Sequence, residues 1–322
     1  MFEPDSFLRL RFDIFIAHLL LVAAKAGKVG EPNPEVCYYL GDRYWRLAEI
    51  YRQKLQDPLC DTLVAEMAEA GISKSILLAA DFTYTLKDCK LTIEESFAKH
   101  REVLARHPGK IEVFGGVNPR WGKDGLGLFE RSLTEFGFRG FKVYPPCGFS
   151  PSDPSLFPFY ELCAHHRVPV VLHIGPTSPA LAFDTSDPFM LDAAARSFPA
   201  VNFIMAHGAV NYTEHCAMMC AYRPNIYLDL SDHQSAARKG NAAGAIRVAV
   251  SRGINHKILF GTDWPVYRMQ GNQQSLVEAV MTEDGPLSEL NDVDKANILY
   301  KNAERLLGMS REVRAEEILS AH

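Results

Sequence analysis

The sequence predicts an α/β fold, a single-domain (β/α)₈ barrel of the TIM type. Short apolar runs recur along the 322 residues, and each is followed by a helical pattern of apolar and polar residues. Such runs are typical of parallel strands that helices cover on both faces. The composition, 47% hydrophobic and 23% charged, supports one large core. No internal repeat or low-complexity segment marks a second domain, so we assign residues 1–322 to the barrel.

Eight apolar runs are the predicted strands. They cover residues 8–17, 75–80, 111–117, 140–144, 168–174, 201–206, 225–230 and 257–262. Helices are predicted between them, among others at residues 61–70, 92–107, 125–136 and 156–166. The helix at 92–107 opens with Thr92 and Glu95 at the spacing of a capping box. Eight such βα units imply a sheet that closes on itself.

One connection is too long for an ordinary barrel loop. Residues 19–58 follow the first predicted strand, contain several glycines and prolines, and then show an amphipathic helical pattern at about residues 39–56. Loops at the carboxyl ends of barrel strands surround the active site. This segment is therefore interpreted either as an inserted helical lid or as a helix that packs against the side of the barrel.

Composition and charge indicate a small-molecule substrate. The net charge is −5 and the isoelectric point about 6.1, without a run of Lys or Arg, so we expect neither nucleic-acid nor membrane binding. Seven cysteines without a CxxC pair favour a reducing, cytoplasmic compartment. The apolar run at residues 14–24 is about half as long as a membrane-spanning helix. A homodimer is compatible with these features.

Three predicted strands end in residues that bind metals or carry protons. His173 ends the run PVVLH, His207 ends FIMAH and Asp263 ends LFGTD. If the strands are regular, each side chain shares the inward face with the residue two positions earlier, which is Met205 for His207. Imidazoles and carboxylates bind zinc or iron, and a carboxylate beside a metal-bound water takes its proton. Catalytic groups of barrels lie at such strand ends, so we predict a reaction centre here.

Lys142 lies inside the apolar run at residues 140–144, where an unpaired ammonium is costly. Three states avoid this cost: pairing with Asp or Glu, loss of the proton, or carbamylation to an anionic metal ligand. The sequence leaves all three open. We predict that the side chain lies in the same pocket as His173 and His207 and takes part in catalysis.

Further residues near strand ends are candidates for substrate binding. Arg120 follows the third strand in GGVNPRW, where a guanidinium is well shaped to clamp a carboxylate, although a surface ion pair fits the position as well. Trp264 follows Asp263 and is expected to supply an apolar wall. Other residues that could line the pocket are Tyr144, Asp81, Asp232 and His233.

Six segments occur in barrel order between residues 61 and 308: GFRGFKVYPP, YELCAHHRVPVVLHIGPTSP, VNFIMAHG, NIYLDLSD, ILFGTDWP and NILYKNAERLLG. Together they resemble the amidohydrolase-related branch of the amidohydrolase superfamily, which includes aminocarboxymuconate-semialdehyde decarboxylase and dicarboxylate lactone hydrolases. The resemblance implies that His173, His207 and Asp263 bind or service a divalent metal, zinc first, with iron or manganese as alternatives. It also implies that Lys142 occupies the position of a family lysine that can be carbamylated and bridge two metals.

The first predicted strand departs from the family pattern. The family has Asp-x-His-x-His, whereas residues 13–18 read DIFIAH. Phe15 and Ala17 stand in place of both histidines, and His18 comes one position late, on the opposite face unless a bulge redirects it. We therefore expect any metal to be held less tightly, with a metal-free site as the alternative. The remaining candidate ligands are His173, His207, Asp263 and Lys142, with His18 only through a bulge.

These observations leave several functions open. The main prediction is a metal-dependent hydrolase that acts on an ester, lactone, amide or thioester bond of a small organic acid or specialised metabolite. A non-oxidative decarboxylase or related lyase on the same barrel is the alternative, because the family resemblance covers both chemistries. An iron-dependent oxygenase and a catalytically inactive binding barrel are further alternatives. The joint presence of Lys142, His173, His207 and Asp263 favours an enzyme over the last.

Overall fold

Strands and helices alternate along the part of the chain that a computed structural model describes, residues 57–86, 89, 91–175, 177, 181–208, 212–231, 241–265, 268 and 271–308. The strands within these residues are β1 Ser75–Ala79, β2 Ile111–Gly115, β3 Gly140–Val143, β4 Val170–His173, β5 Phe203–Ala206, β6 Ile226–Asp229 and β7 Ile258–Leu259. The α-helices are α1 Asp61–Glu69, α2 Ile93–Arg106, α3 Gly122–Thr134, α4 Phe157–His166, α5 Asp192–Ser197, α6 Thr213–Tyr222, α7 Asn241–Ser251, α8 Gln273–Met281, α9 Asp292–Ala296 and α10 Asn302–Leu306. A π-helical turn, Asn297–Lys301, joins the last two.

The described strands form one sheet whose order follows the sequence from β1 to β7. Each neighbouring pair is parallel; β4 and β5, for example, pair from Val170 with Phe203 to His173 with Ala206. Parallel neighbours require a crossover connection, which a helix supplies between each pair of strands. This sequential parallel order is that of a TIM barrel.

Two apolar clusters lie on the two faces of the sheet. The larger, outer cluster packs the helices against alternate strand residues such as Phe141 and Met205. The smaller, inner cluster joins Phe114, Ile204 and Leu259, which come from β2, β5 and β7. Side chains from strands so far apart in the sheet order meet because the sheet curls around them. The carboxyl ends of the strands therefore surround a common mouth.

The predicted capping box at the start of α2 is present. The Thr92 hydroxyl accepts a hydrogen bond from the Glu95 backbone N–H at 3.2 Å, and the Glu95 carboxylate accepts one from the Thr92 backbone N–H at 2.8 Å. These bonds satisfy two donors that the first turn of a helix leaves free. The helix then buries Phe97 and Val103 against the sheet.

The structure confirms the predicted strands between residues 75 and 262, each shorter than its apolar run, and the four helices predicted between residues 61 and 166. The predicted first strand, residues 8–17, and the helix at about residues 39–56 lie outside the described residues, as does nearly all of the lid segment 19–58. Among the described helices, none combines the length and hydropathy that crossing a membrane requires.

Candidate active site

Regular strand geometry brings His173 and Lys142 to the inner face of the barrel. His173 ends β4, two positions after Val171 of the inner cluster. Lys142 pairs with Val171 in the register of β3 with β4. Gly140, two positions before Lys142, leaves room for the Phe114 ring, since a Cβ at Gly140 would lie 2.6 Å from that ring. Both site side chains are buried, with 7% of His173 and 5% of Lys142 exposed.

His207 reaches His173 through a distortion of the backbone. Met205 packs in the outer cluster, whereas Ala206 belongs to the inner one, so the predicted inward register of Met205 is wrong. A φ of +63° at His207 breaks the alternation just after β5. The centroid of its ring lies 4.9 Å from that of His173, edge to face. Residues other than glycine rarely adopt this conformation, and such strain concentrates at functional sites.

The ring of Tyr144 covers His173. The two ring centroids are 4.4 Å apart with an angle of 23° between the planes, and Phe82 contacts the tyrosine ring edge-on at 4.9 Å. The Tyr144 hydroxyl lies 3.3 Å from the Thr177 hydroxyl. Burial raises the pKa of Tyr144 well above its usual value, so the phenol stays protonated. The mouth thus has a flat, uncharged wall on this side.

Lys142 has an electrostatic environment set by burial and by two acidic residues. Burial lowers the pKa of Lys142 from 10.5 to about 8, while the negative charges of Asp229 and Asp263 act in the opposite direction. Its Nζ lies 5.7 Å from the centroid of the Tyr144 ring. Of the states that the sequence leaves open, these surroundings favour the ammonium, because a carbamate anion would face two carboxylates.

Asp263 follows β7 and, like His207, has a positive φ, +47°. Its charge acts on both Lys142 and Tyr144, which places the carboxylate at the same mouth. Three strand ends thus contribute the histidine pair and this carboxylate. That these side chains take part in catalysis stays a prediction.

Trp264, next to Asp263, connects the mouth to α1. Its indole N–H donates to the Glu66 carboxylate at 3.2 Å. Arg268 forms an ion pair with the same carboxylate at 3.0 Å and lies over the indole ring at 5.8 Å. The partly buried Trp264 ring also packs against the outer cluster. These contacts hold the loop after β7 in place, whereas the predicted contact of Trp264 with substrate stays a prediction.

Two residues that were absent from the sequence prediction hold His207. Asp229, the last residue of β6, accepts hydrogen bonds from the backbone N–H groups of His207 at 3.2 Å and of Ser231 at 2.8 Å. The Ser231 hydroxyl bonds the same carboxylate and lies 2.8 Å from His207 Nδ1. Asp229 could have been predicted in the same way as Asp263, because it also lies at the carboxyl end of a strand. Nothing in the sequence pattern pointed to Ser231.

Arg120 and Asp81 tie together the loops that follow β1, β2 and β3. The Arg120 guanidinium donates to the Thr85 hydroxyl at 3.0 Å and to the Cys147 carbonyl. Asp81 is buried and accepts from the Asn118 backbone N–H at 2.8 Å. Both side chains therefore have protein partners. That Arg120 clamps a substrate carboxylate stays a prediction.

The described side chains do not complete a metal centre on their own. Among them, no group of three or more His, Cys, Asp and Glu side chains is arranged to hold a metal ion, whereas structural and catalytic zinc sites use three or four protein ligands. His173 and His207 are adjacent to each other. The candidates His18, Asp232 and His233 lie outside the described residues. The described donor set alone thus does not fit the metal site that the resemblance implies.

A TIM barrel with histidine, lysine and aspartate side chains at the carboxyl ends of its strands has the architecture of a barrel enzyme. The family model for amidohydrolases matches residues 42–309. The chain belongs to this amidohydrolase family.

Solved structures with the same fold include several decarboxylases. The 2,6-dihydroxybenzoate decarboxylase from Rhizobium has a TM-score of 0.64 and 19% identity, over 84% of this chain and 93% of that one. The 5-carboxyvanillate decarboxylase from Novosphingobium aromaticivorans, complexed with manganese and 4-hydroxy-3-methoxy-5-nitrobenzoic acid, has a TM-score of 0.63 and 14% identity, over 94% of this chain and 92% of that one. At these identities the likeness establishes the fold.

A curated relative matches a shorter stretch of sequence. Protein fluG of Emericella nidulans is 22% identical over an alignment 164 residues long, which covers 48% of this chain and 19% of fluG. The chain therefore corresponds to a minor part of that longer protein.

Proposed function

We propose that this chain is a non-oxidative decarboxylase of a small, planar, carboxylated aromatic acid. The observation that carries the proposal is a buried lysine, influenced by two carboxylates, at a mouth with two adjacent imidazoles and a stacked tyrosine ring. This set combines a cation for a carboxylate, groups that carry protons, and a flat wall. The hydroxybenzoate and carboxyvanillate decarboxylases that share the fold support this choice.

Lys142 is the residue that attracts the substrate carboxylate. A buried ammonium interacts strongly with an anion because little water screens the two charges. Because the pKa of Lys142 is about 8, its side chain is protonated in most molecules at neutral pH. The Tyr144 ring stacked on His173 offers a surface on which an aromatic ring can lie.

Decarboxylation needs one proton at the carbon that carries the carboxylate. The proton enters at this carbon, the bond to the carboxylate breaks, CO₂ leaves, and the electron pair of the broken bond restores the aromatic ring. His207 and Asp263 are the proton carriers at the mouth, and solvent returns the proton that they give. The net change is replacement of the carboxylate by hydrogen.

Manganese in the Novosphingobium structure makes a divalent ion the cofactor to test first, whether manganese, zinc or iron. Among the described donors, His173 and His207 are the pair in contact. Because Phe15 and Ala17 stand in place of two histidines of the family pattern, we expect the site to bind such ions weakly compared with a complete site. We therefore expect dialysis against a chelator to remove any metal while the barrel stays folded, as measured by elemental analysis and circular dichroism.

The hydrolase predicted from the sequence is the second candidate, since the family model is that of amidohydrolases. Hydrolysis requires an activated water, which a metal ion or a free general base supplies. Decarboxylation is better supported, because the solved structures with the same fold include decarboxylases of aromatic acids and because the buried Lys142 cation and the flat Tyr144 ring suit a carboxylated aromatic substrate.

The test is turnover in deuterium oxide with a panel of hydroxybenzoates and, in parallel, aromatic lactones and esters. We expect CO₂ release and a product with one deuterium at the carbon that held the carboxylate. Lys142→Met should lower kcat/KM roughly 10- to 100-fold, the effect of losing one charge-assisted contact. Lys99→Met, at a position on α2 whose side chain is 61% exposed, is the control and should leave kcat/KM unchanged. Lactone or ester cleavage without CO₂ release, insensitive to Lys142→Met, would refute the proposal.

A further inference from the structure

We infer that Asp229 and Ser231 are positioning residues that fix His207 in the tautomer with its proton on Nδ1. The nitrogen Nε2 is then the one without a hydrogen, ready to accept a proton or to bind a ligand. Four hydrogen bonds around Asp229 and Ser231, the backbone of His207, and the space next to Ser231 support this assignment.

The hydrogen-bond directions follow from the groups involved. The Asp229 carboxylate has no hydrogen to give, and it accepts from two backbone N–H groups as well as from the Ser231 hydroxyl. The single hydroxyl hydrogen of Ser231 is therefore directed to Asp229. Toward His207, 2.8 Å away, the Ser231 oxygen can only accept. The hydrogen in that contact must lie on Nδ1.

The same carboxylate holds the backbone that aims the ring. Asp229 accepts the His207 backbone N–H at 3.2 Å, at the residue whose φ is +63°. A strained conformation of this kind persists where the surroundings impose it. Asp229 thus fixes the main chain of His207 directly and its ring through Ser231.

Gly261 provides the space that Ser231 occupies. A Cβ added at Gly261 would lie 2.9 Å from the Ser231 Cβ and 3.4 Å from its backbone nitrogen. Two side-chain carbons do not approach so closely, so any larger residue at Gly261 displaces Ser231 from His207 and Asp229. Substitution at Gly261 therefore tests the arrangement without removing the hydroxyl.

The tautomer matters for the proposed decarboxylase, and this part of the inference rests on that function. A His207 ring whose Nδ1–H is held by Ser231 leaves Nε2 as the nitrogen available to the substrate site. The opposite tautomer would present a nitrogen that already carries a hydrogen. Loss of Ser231 should then slow the chemical step more than it weakens substrate binding.

The first experiment determines the tautomer of His207 and does not depend on catalytic activity. Protein labelled with ¹⁵N at histidine is measured by long-range ¹H–¹⁵N correlation at about pH 8.5, where imidazoles are neutral, and His207→Gln identifies the His207 signals among the 11 histidines. We expect a protonated Nδ1 and an unprotonated Nε2. Ser231→Ala and Gly261→Ala should shift the population toward the Nε2–H form, whereas Ser231→Thr keeps the hydroxyl and should keep the Nδ1–H form.

Each outcome either supports or overturns the proposed tautomer of His207. An Nε2–H tautomer in the wild type overturns the inference, and so does an unchanged Nδ1–H form in folded Ser231→Ala. If Ser231→Thr fails to fold, Gly261→Ala is the second test: it keeps the hydroxyl but displaces it from His207, so an unchanged Nδ1–H form in this variant also overturns the inference. In turnover assays, Ser231→Ala should lower kcat roughly 10- to 100-fold with KM within about twofold. Absence of decarboxylation on every acid tested would refute the proposed function and leave the tautomer result standing.

Discussion

Replacement of Lys142 by methionine should change how the stability of the barrel depends on pH. Burial holds the pKa of Lys142 at about 8 in the folded chain, against 10.5 for an exposed lysine. Between these values the unfolded chain binds a proton that the folded chain has released, so the free energy of unfolding rises with pH. The cost of burying the ammonium is thus fully present below about pH 8 and is relieved as the pH approaches about 10.5.

The magnitude follows from the two pKa values. Each tenfold difference in proton affinity corresponds to about 1.4 kcal/mol, so the whole difference is about 3 kcal/mol. About 2 kcal/mol of this cost disappears between about pH 7 and about pH 9.5, so the free energy of unfolding rises by that amount. Other buried groups, such as the thiol of Cys147, whose pKa burial raises to about 11, titrate in both proteins and cancel in the comparison.

The assay is urea unfolding of wild type and Lys142→Met at several pH values in this range, followed by circular dichroism. The difference between the two free energies of unfolding should grow by about 2 kcal/mol in favour of the wild type toward high pH. A difference that is flat across this range, with both proteins folded, would show that Lys142 is not desolvated and would remove its assigned role at the mouth.

Three further predictions concern the fold, each measured as the free energy of unfolding. Lys257→Met should destabilise by about 1–3 kcal/mol, because the buried ammonium donates to two backbone carbonyls near the end of α6, each at 2.6 Å; an unchanged stability would contradict this. Thr92→Ala should cost about 1 kcal/mol by removing the N-cap of α2, and Thr92→Ser should cost much less. Gly140→Ala should cost about 1–3 kcal/mol, because the new Cβ would lie 2.6 Å from the Phe114 ring; equal stability would mean that the ring moves aside freely.

Much of the fold could be predicted because its signals are local. A strand buried on both faces needs an apolar run, and the start of α2 needs a residue such as Thr92 with Glu95 three positions on. The positions of Lys142 and His173 also follow from regular alternation along β3 and β4. For Lys142 and His173, the two-residue alternation of side chains along a strand was enough to predict the inward face.

The rest of the site depends on departures from that regularity. Alternation places His207 on the outer face with Met205, and the φ of +63° that redirects it depends on Asp229, a residue of the next strand. The hydrogen bond between His207 and Ser231 likewise joins two strand ends 24 residues apart in sequence. Such contacts arise from the assembled barrel, and no periodic pattern contains them.

The positive φ values at His207 and Asp263 lower the stability of the fold at two positions whose side chains lie at the mouth. Glycine adopts this conformation without steric cost, so His207→Gly would relieve strain of about 1 kcal/mol while removing an imidazole from the mouth. A variant library sorted by thermal tolerance alone would be enriched in glycine only where this relief exceeds the loss of side-chain contacts, such as the bond between His207 and Ser231, and the entropy that glycine adds to the unfolded chain. Retention of His207 and Asp263 in sequences sorted for turnover would then identify the chemical demand that outweighs the strain.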